Sequence, residues 1–249
     1  MQLNVINTGF NSASFNFACD QALLEYVKQT GKPVLRFYGF NPTACTIGYF
    51  QGMNLELDLE FAKENNIECV RRLTGGGAVM HDQNQFTYSL IIPEKYVPKN
   101  IQESYEYICR PIISGLNSLG IFPEFAPLND IVLKDQKISG NAQTRKGGVV
   151  LQHGTLLLDV DVDKMFRVLL VPNEKLRDKL VASVKKRVTG INRHLKVDVS
   201  FEFLVDLFTN HFAELLNSQV VDFNFSDDLN SNISKIQKQY LSDKWNFKY

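Results

Sequence analysis

The chain has 249 residues, enough to bury a substantial core and within the upper range of a single domain. Lysine plus arginine and aspartate plus glutamate both number 27, so no overall basic field argues for nucleic acid and no acidic excess argues for disorder. No apolar run reaches the roughly 18 residues of a membrane span, no leader-like segment opens the chain, and Cys19, Cys45, Cys69 and Cys109 form no CxxC pair; a cytoplasmic protein with reduced thiols and no membrane partner is expected.

From Ser12 to Gln29 apolar residues recur at spacings of three and four, which predicts an amphipathic helix capped by Ser12 or Ser14 and stopped at Gly31. Strands are expected over 34–38, 45–50, 67–72 and 85–92, where β-branched and aromatic residues lie between turn signals, with a short helix over 57–65. A second long helix over 101–119 ends before Gly120. Strands then resume over 130–133, 137–139 and 149–159, and helices follow over 162–170, 173–184, 201–216 and 232–241. Without an internal repeat, this order predicts an α+β fold: a mixed, largely antiparallel sheet packed with helices, in one domain spanning residues 1–249.

One stretch stands apart. Arg71-Arg72-Leu73-Thr74-Gly75-Gly76-Gly77-Ala78-Val79-Met80-His81-Asp82 sets two fixed positive charges, three glycines and an imidazole between two strand-like runs. Consecutive glycines cost backbone entropy, so their use here points to a close approach to the main chain, and N–H groups beside arginines suit an anion. The alternative is a glycine-rich turn with its arginines in solvent. Neither GxxxxGK[ST] nor GxGxxG is present.

A second constellation joins Asn129-Asp130 to Lys137-Ile138-Ser139-Gly140-Asn141-Ala142. On a period of two, Lys137 and Ser139 are expected to share one strand face, opposite Ile138. In Leu151-Gln152-His153-Gly154-Thr155, glycine permits close approach beside His153, and Thr155 presents a hydroxyl on the same face. Read singly, each segment is also compatible with a solvated lysine or a satisfied core histidine.

Taken in order, RRLTGGGAVMHD, NDIVL, KISGNAQTR, LQHGTLLLDVD and SVKKRVTGI resemble the lipoate-protein ligase and octanoyltransferase family, which shares its catalytic fold with biotin protein ligases. The resemblance extends from the N-terminal helix through RFYGFNPTACTIGYFQ to Trp245-Asn246. Octanoyltransferases of the family carry their acyl group on a cysteine, before the NDIVL-like strand or after the HG motif. No cysteine stands at either place, Cys109 being the last. The resemblance therefore implies an ATP-dependent lipoate-protein ligase that makes lipoyl-AMP and transfers lipoyl to a lysine. The alternative is a lipoyl or octanoyl transferase that uses a preactivated donor, lipoyl-AMP or an acyl carrier protein.

The roles implied by the resemblance follow position by position. Lys137 is the expected catalytic residue, polarising the activated carbonyl. Arg71 and Arg72 would pair with phosphate, and Gly75, Gly76, Gly77 and Ala78 would bring main-chain N–H groups to the adenylate. His81 and His153, with Ser139, Gly140, Ala142 and Thr155, would line the pocket, helped by Gly39, Phe40 and 48–51. Asn129 and Asp130 would serve nucleotide and magnesium, Asp130 being the expected Mg ligand. The cofactors implied are ATP and Mg, with lipoate as substrate. Implied partners are lipoyl-domain proteins, namely 2-oxoacid dehydrogenase E2 subunits and the glycine cleavage H protein, steered by the basic run 185–187 with Arg193, His194 and Lys196. A small accessory domain follows the Trp-Asn motif in full-length ligases and is a separate subunit in some; with the chain ending at Tyr249, such a subunit is a further expected partner. Two other readings are a member that binds lipoylated proteins without modifying them, against which Lys137 argues, and a biotin ligase, against which the missing GRGRxGR-type loop argues.

Overall fold

The computed structural model describes residues 1–170, 174–196 and 199–249, with backbone alone at 174–176. It opens on a strand that the sequence did not announce, β1 (Gln2–Asn11), in which asparagines at positions 4, 7 and 11 interrupt any apolar alternation. Helix α1 (Ala13–Thr30) follows, its first turn closed by the Ser12 hydroxyl accepting from the Phe15 N–H and its last by Gly31 at φ 68°. After β2 (Val34–Phe40) and β3 (Ala44–Ile47), the helix expected over 57–65 is broken in two, α2 (Met53–Glu56) and α3 (Leu59–Glu64). Asp58 causes the break, since its carboxylate accepts from the Phe61 N–H at 2.9 Å and starts a new helix there.

Strands β4 (Glu68–Arg71) and β5 (Val79–His81) flank the glycine run and lead into β6 (Gln85–Pro93), buried along its whole length. Next come α4 (Ile101–Ser118), β7 (Glu124–Ala126), β8 (Asp130–Leu133), β9 (Gln136–Lys146) and β10 (Val149–Leu157). The chain then turns to α5 (Val162–Val168), α6 (Glu174–Arg187), α7 (Phe201–Leu215), β11 (Gln219–Asp222), α8 (Asp227–Tyr240) and α9 (Asp243–Asn246). The predicted start of the α6 helix, Asn173, lies outside the described residues. No helix among the described residues is long and apolar enough to cross a membrane.

The large sheet has the order β11-β1-β2-β6-β10-β9-β8-β7; β1 runs parallel to both neighbours and the remaining pairs are antiparallel. A small sheet, β4-β3-β5, stands beside it. Packing explains why the helices lie where they do. Leu229, Ile233, Ile236 and Tyr240 of α8 and Phe17, Ala18 and Leu23 of α1 bury together against Val34 and Ile91 of the sheet. Phe208 and Phe212 of α7 and Ile108 and Ile112 of α4 cover the other face, against Phe86 and Tyr88. A third cluster, with Cys45, Ile47, Met53, Leu57, Met80 and Val168, holds the small sheet to α2 and α5. The architecture is the α+β one expected, with the parallel edge added by β1 and β11.

Candidate active site

Between the two sheets lies a cavity of about 320 Å³. That size suits a small organic ligand. Phe17 of α1, Tyr38 and Phe40 of β2 and Met165 of α5 give it an apolar side. Its polar side comes from Arg72, Gly76, Gly77, Ala78, His81, Asn129, Lys137, His153 and Thr155, with Gly140 and Ala142 between them. The motifs that lie far apart in sequence thus meet on one cavity.

Two adjacent arginines have opposite fates. Arg71 ends β4, fully buried, and its guanidinium donates to the carbonyls of Gly48 (3.2 Å), Tyr49 (2.8 Å), Gln51, Trp245 (3.0 Å) and Asn246 (2.7 Å). It does not line the cavity, so the expectation that it pairs with phosphate is corrected: it ties the loop over 48–51 to the C-terminal segment. The same bonds hold that loop away from the cavity, so neither it nor Gly39 lines the pocket as the sequence predicts. Strand alternation sends the next residue the other way.

Arg72, 5% exposed, reaches across the glycine run, donating to the carbonyls of Gly75 (2.8 Å) and Gly77 (2.7 Å) and to the main chain and hydroxyl of Thr46. No carboxylate among the described residues pairs with it. Burial pulls its guanidinium down to about 10, well above any working pH. Its terminal N–H groups are thus taken by protein oxygens, and what it presents at the cavity wall is a buried positive charge with no carboxylate partner among the described residues. The amides of Gly75, Gly76 and Gly77 donate to no protein acceptor among the described residues, and Gly76 sits at φ 98°, open to glycine alone. Gly75 itself lies just outside the lining.

Both predicted histidines line the cavity with both ring nitrogens engaged. His81 stacks on Phe40 at 4.1 Å, its Nδ1 donates to Gln85 Oε1 at 3.0 Å, and its Nε2 accepts from the Thr46 hydroxyl at 3.1 Å. The donor and acceptor roles follow from Gln85, whose amide nitrogen is held by the Met80 carbonyl. Burial, reinforced by the Arg72 charge, lowers the His81 ring to about 3 and keeps it neutral. His153 lies between Asp20 Oδ2, 3.2 Å from Nδ1, and the Thr74 hydroxyl, 2.8 Å from Nε2.

Lys137 stands at the rim, its Nζ 2.7 Å from Asp130 Oδ1. The contact is an ion pair whose angle is not that of a hydrogen bond. A side chain on Gly140 would press on Nζ and Cε of Lys137, at 2.8 and 2.9 Å. Asn129 is fixed by mutual bonds with Asn141. Ser139 also misses its expected placement. The register steps from Ile131↔Ser139 to Val132↔Lys137, so Ile138 is an extra residue in β9. That bulge inverts the face parity, and Ser139 is buried away from the cavity with its hydroxyl unpaired.

Among the described residues, no group of three or more His, Cys, Asp or Glu side chains could hold a metal. Asp130 alone, already facing an ammonium, fits magnesium only as an ion carried in on phosphates. The cysteines are no better placed for acyl chemistry. None lines the cavity, and burial raises Cys19 and Cys69 to about 11, Cys109 to about 12 and Cys45 higher still.

Asp20, which sequence reasoning passed over, lies 2% exposed behind His153, with Arg36 Nη1 on Oδ1 at 2.9 Å and the Ser89 hydroxyl on Oδ2 at 2.8 Å. Burial works against its ionised form, yet the His153 bond and the Arg36 charge outweigh it and hold the carboxyl below its ordinary value. The available signal was a single acid on the apolar face of a predicted helix.

Known proteins are similar to this chain over nearly its full length. The octanoyltransferase LipM of Geobacillus kaustophilus is 35% identical, covering 98% of this chain and 97% of the relative. The solved bi-partite lipoate protein ligase of Thermoplasma acidophilum, described with its E2 lipoyl domain, superposes with a TM-score of 0.88 at 30% identity, over 99% of this chain and 95% of that one. A lipoate-protein ligase A bound with ATP gives 0.83 at 28% identity, over 99% and 98%. Residues 12–213 match the lipoyl protein ligase A/B catalytic domain, and the chain belongs to that family of ligases and transferases.

Proposed function

We propose that this enzyme transfers a lipoyl or octanoyl group from a preactivated donor directly to a lysine side chain of an acceptor protein, with no acyl-enzyme intermediate. One observation carries the reading: the cavity has an ammonium, Lys137, at its rim and no thiol among the described residues that line it. In this reaction the neutral acceptor amine attacks the acyl carbon, a C–N bond forms, the bond to the leaving group breaks, and the amine's surplus proton departs to the leaving group or solvent. Lys137 polarises the acyl oxygen, Asp130 fixes the position of Lys137, and the apolar side of the cavity takes the chain. Relatives named octanoyltransferase favour transfer over the ATP-dependent ligase expected from the motifs.

The donor that fits best is an acyl-adenylate, because Arg72 and the free glycine amides offer its phosphate a charge and N–H groups. A lipoyl domain is the acceptor class we propose, since the bi-partite relative is described with one. The similarity to a ligase bound with ATP favours a second reading, in which the chain also makes its own adenylate from lipoate, ATP and Mg. A three-arm assay separates the readings, following the mass of an apo lipoyl domain with lipoyl-AMP, with octanoyl carrier protein, or with lipoate and Mg-ATP. Transfer from either preactivated donor with none from lipoate and ATP is the expected result. Transfer that needs ATP would replace the first reading by the second, and inactivity in all arms would reject both.

A further inference from the structure

We propose that Asp20 and Thr74 are positioning residues for this reaction, acting through His153 to hold the glycine loop as a fixed wall of the donor pocket. The inference rests on the transfer reading above. It starts from a chain of contacts that crosses the molecule: Arg36 on β2, Asp20 on α1, His153 on β10, then Thr74 at the head of the loop. With Oδ1 facing Arg36, the other carboxylate oxygen is left to accept from the imidazole. A carboxylate accepts only, so Nδ1 carries a proton. In the neutral ring Nε2 then accepts from the Thr74 hydroxyl, and in the cationic ring it donates to it; either way one bond ties the ring to the loop.

The loop has few other restraints. Gly75, Gly76 and Gly77 have no side chains to pack and their amides find no protein acceptor among the described residues. Arg72 grips two of the loop carbonyls, and Tyr49 N–H donates to the Thr74 carbonyl at 2.9 Å. Thr74 is fully buried and absent from the lining, so its hydroxyl has no substrate to touch. Its one side-chain bond is to His153. Because both imidazole nitrogens are engaged, His153 is a strut between helix and loop rather than a base in the pocket.

Thr74→Val deletes the hydroxyl while keeping shape, and Thr74→Ser keeps the hydroxyl. The expected result for Thr74→Val is a rise of roughly three- to tenfold in KM for the acyl donor, the loss of one hydrogen bond, with kcat and acceptor KM within about twofold, and recovery in Thr74→Ser. Amide hydrogen exchange of peptides covering 72–79 is expected to quicken in the Val variant and return to the wild-type rate in Ser. That measurement needs no turnover, so it still tests the strut if the transfer reading fails. Unchanged exchange in Thr74→Val, or equal acceleration in both variants, would overturn the proposal. Asp20→Asn serves as a second probe through the 15N shifts of the His153 ring: loss of the fixed Nδ1 proton is expected, and its persistence would also count against the proposal.

Discussion

Lys137 Nζ and Asp130 Oδ1 stand 2.7 Å apart at the cavity rim, on adjacent strands, with their side chains 39% and 31% exposed. An ion pair this open to water contributes little to stability, commonly about 1 kcal/mol or less. Its placement is the informative part, because it brings an ammonium to the mouth of the cavity whose wall also carries Arg72.

Lys137→Ala is expected to lower the transfer rate about 100-fold or more while leaving acceptor binding intact, the usual scale for removing one charge-stabilising donor. Single-turnover kinetics with an apo lipoyl domain and a preactivated donor measure it. A loss under about threefold would remove Lys137 from the reaction.

Enzyme incubated with donor but no acceptor should show no covalent acyl adduct by intact mass. Brief treatment of the native protein with N-ethylmaleimide should leave transfer largely unaffected, since burial holds all four thiols protonated. A hydroxylamine-labile adduct on any cysteine would refute direct transfer.

The neighbouring arginines should separate cleanly. Arg71→Ala strands several buried carbonyls and is expected to cost about 3 kcal/mol of stability. Arg71→Lys recovers little, because an ammonium cannot span five acceptors. Arg72→Ala removes a buried charge that lacks a carboxylate partner and also frees the Gly75, Gly77 and Thr46 carbonyls, so stability should fall as well, but donor binding should fall more. Denaturant titration with donor-binding calorimetry reads both, and the reverse pattern would exchange their roles.

Acid should weaken the fold through His81 first. Its ring titrates near 3 when folded, because of burial and Arg72, and near 6.5 when unfolded. Between those values the unfolded chain takes up a proton that the folded chain refuses, so stability falls as pH drops below about 6.5, by up to ~1.4 kcal/mol per unit. Asp20, with a lowered carboxyl pKa, adds stability that is complete above about 3.9 and is lost as pH falls through its folded value. Urea midpoints at neutral and mildly acidic pH should differ less in His81→Gln than in wild type; equal differences would rule His81 out as the sensor.

Much of this was legible in the sequence where a local rule decides the outcome. Ser12 and Gly31 bound α1, and Lys137, His81 and His153 stand out against apolar strands. What escaped depends on tertiary context. Arg71 and Arg72 are chemically identical in sequence, and only strand alternation and the arrival of Trp245 and Asn246 separate them. The bulge at Ile138 that removes Ser139 from the cavity leaves no trace in composition. Asp20 draws its partners from 16, 69 and 133 positions away, beyond any local pattern.

The Trp245 and Asn246 bonds to Arg71 span 174 and 175 positions. Closing so long a stretch of chain comes late in folding, after the local helices and hairpins have formed. During synthesis on the ribosome, the strand that presents Arg72 to the cavity is therefore finished long before the segment that anchors it emerges, and the anchored site is expected only in chains carried through to Asn246.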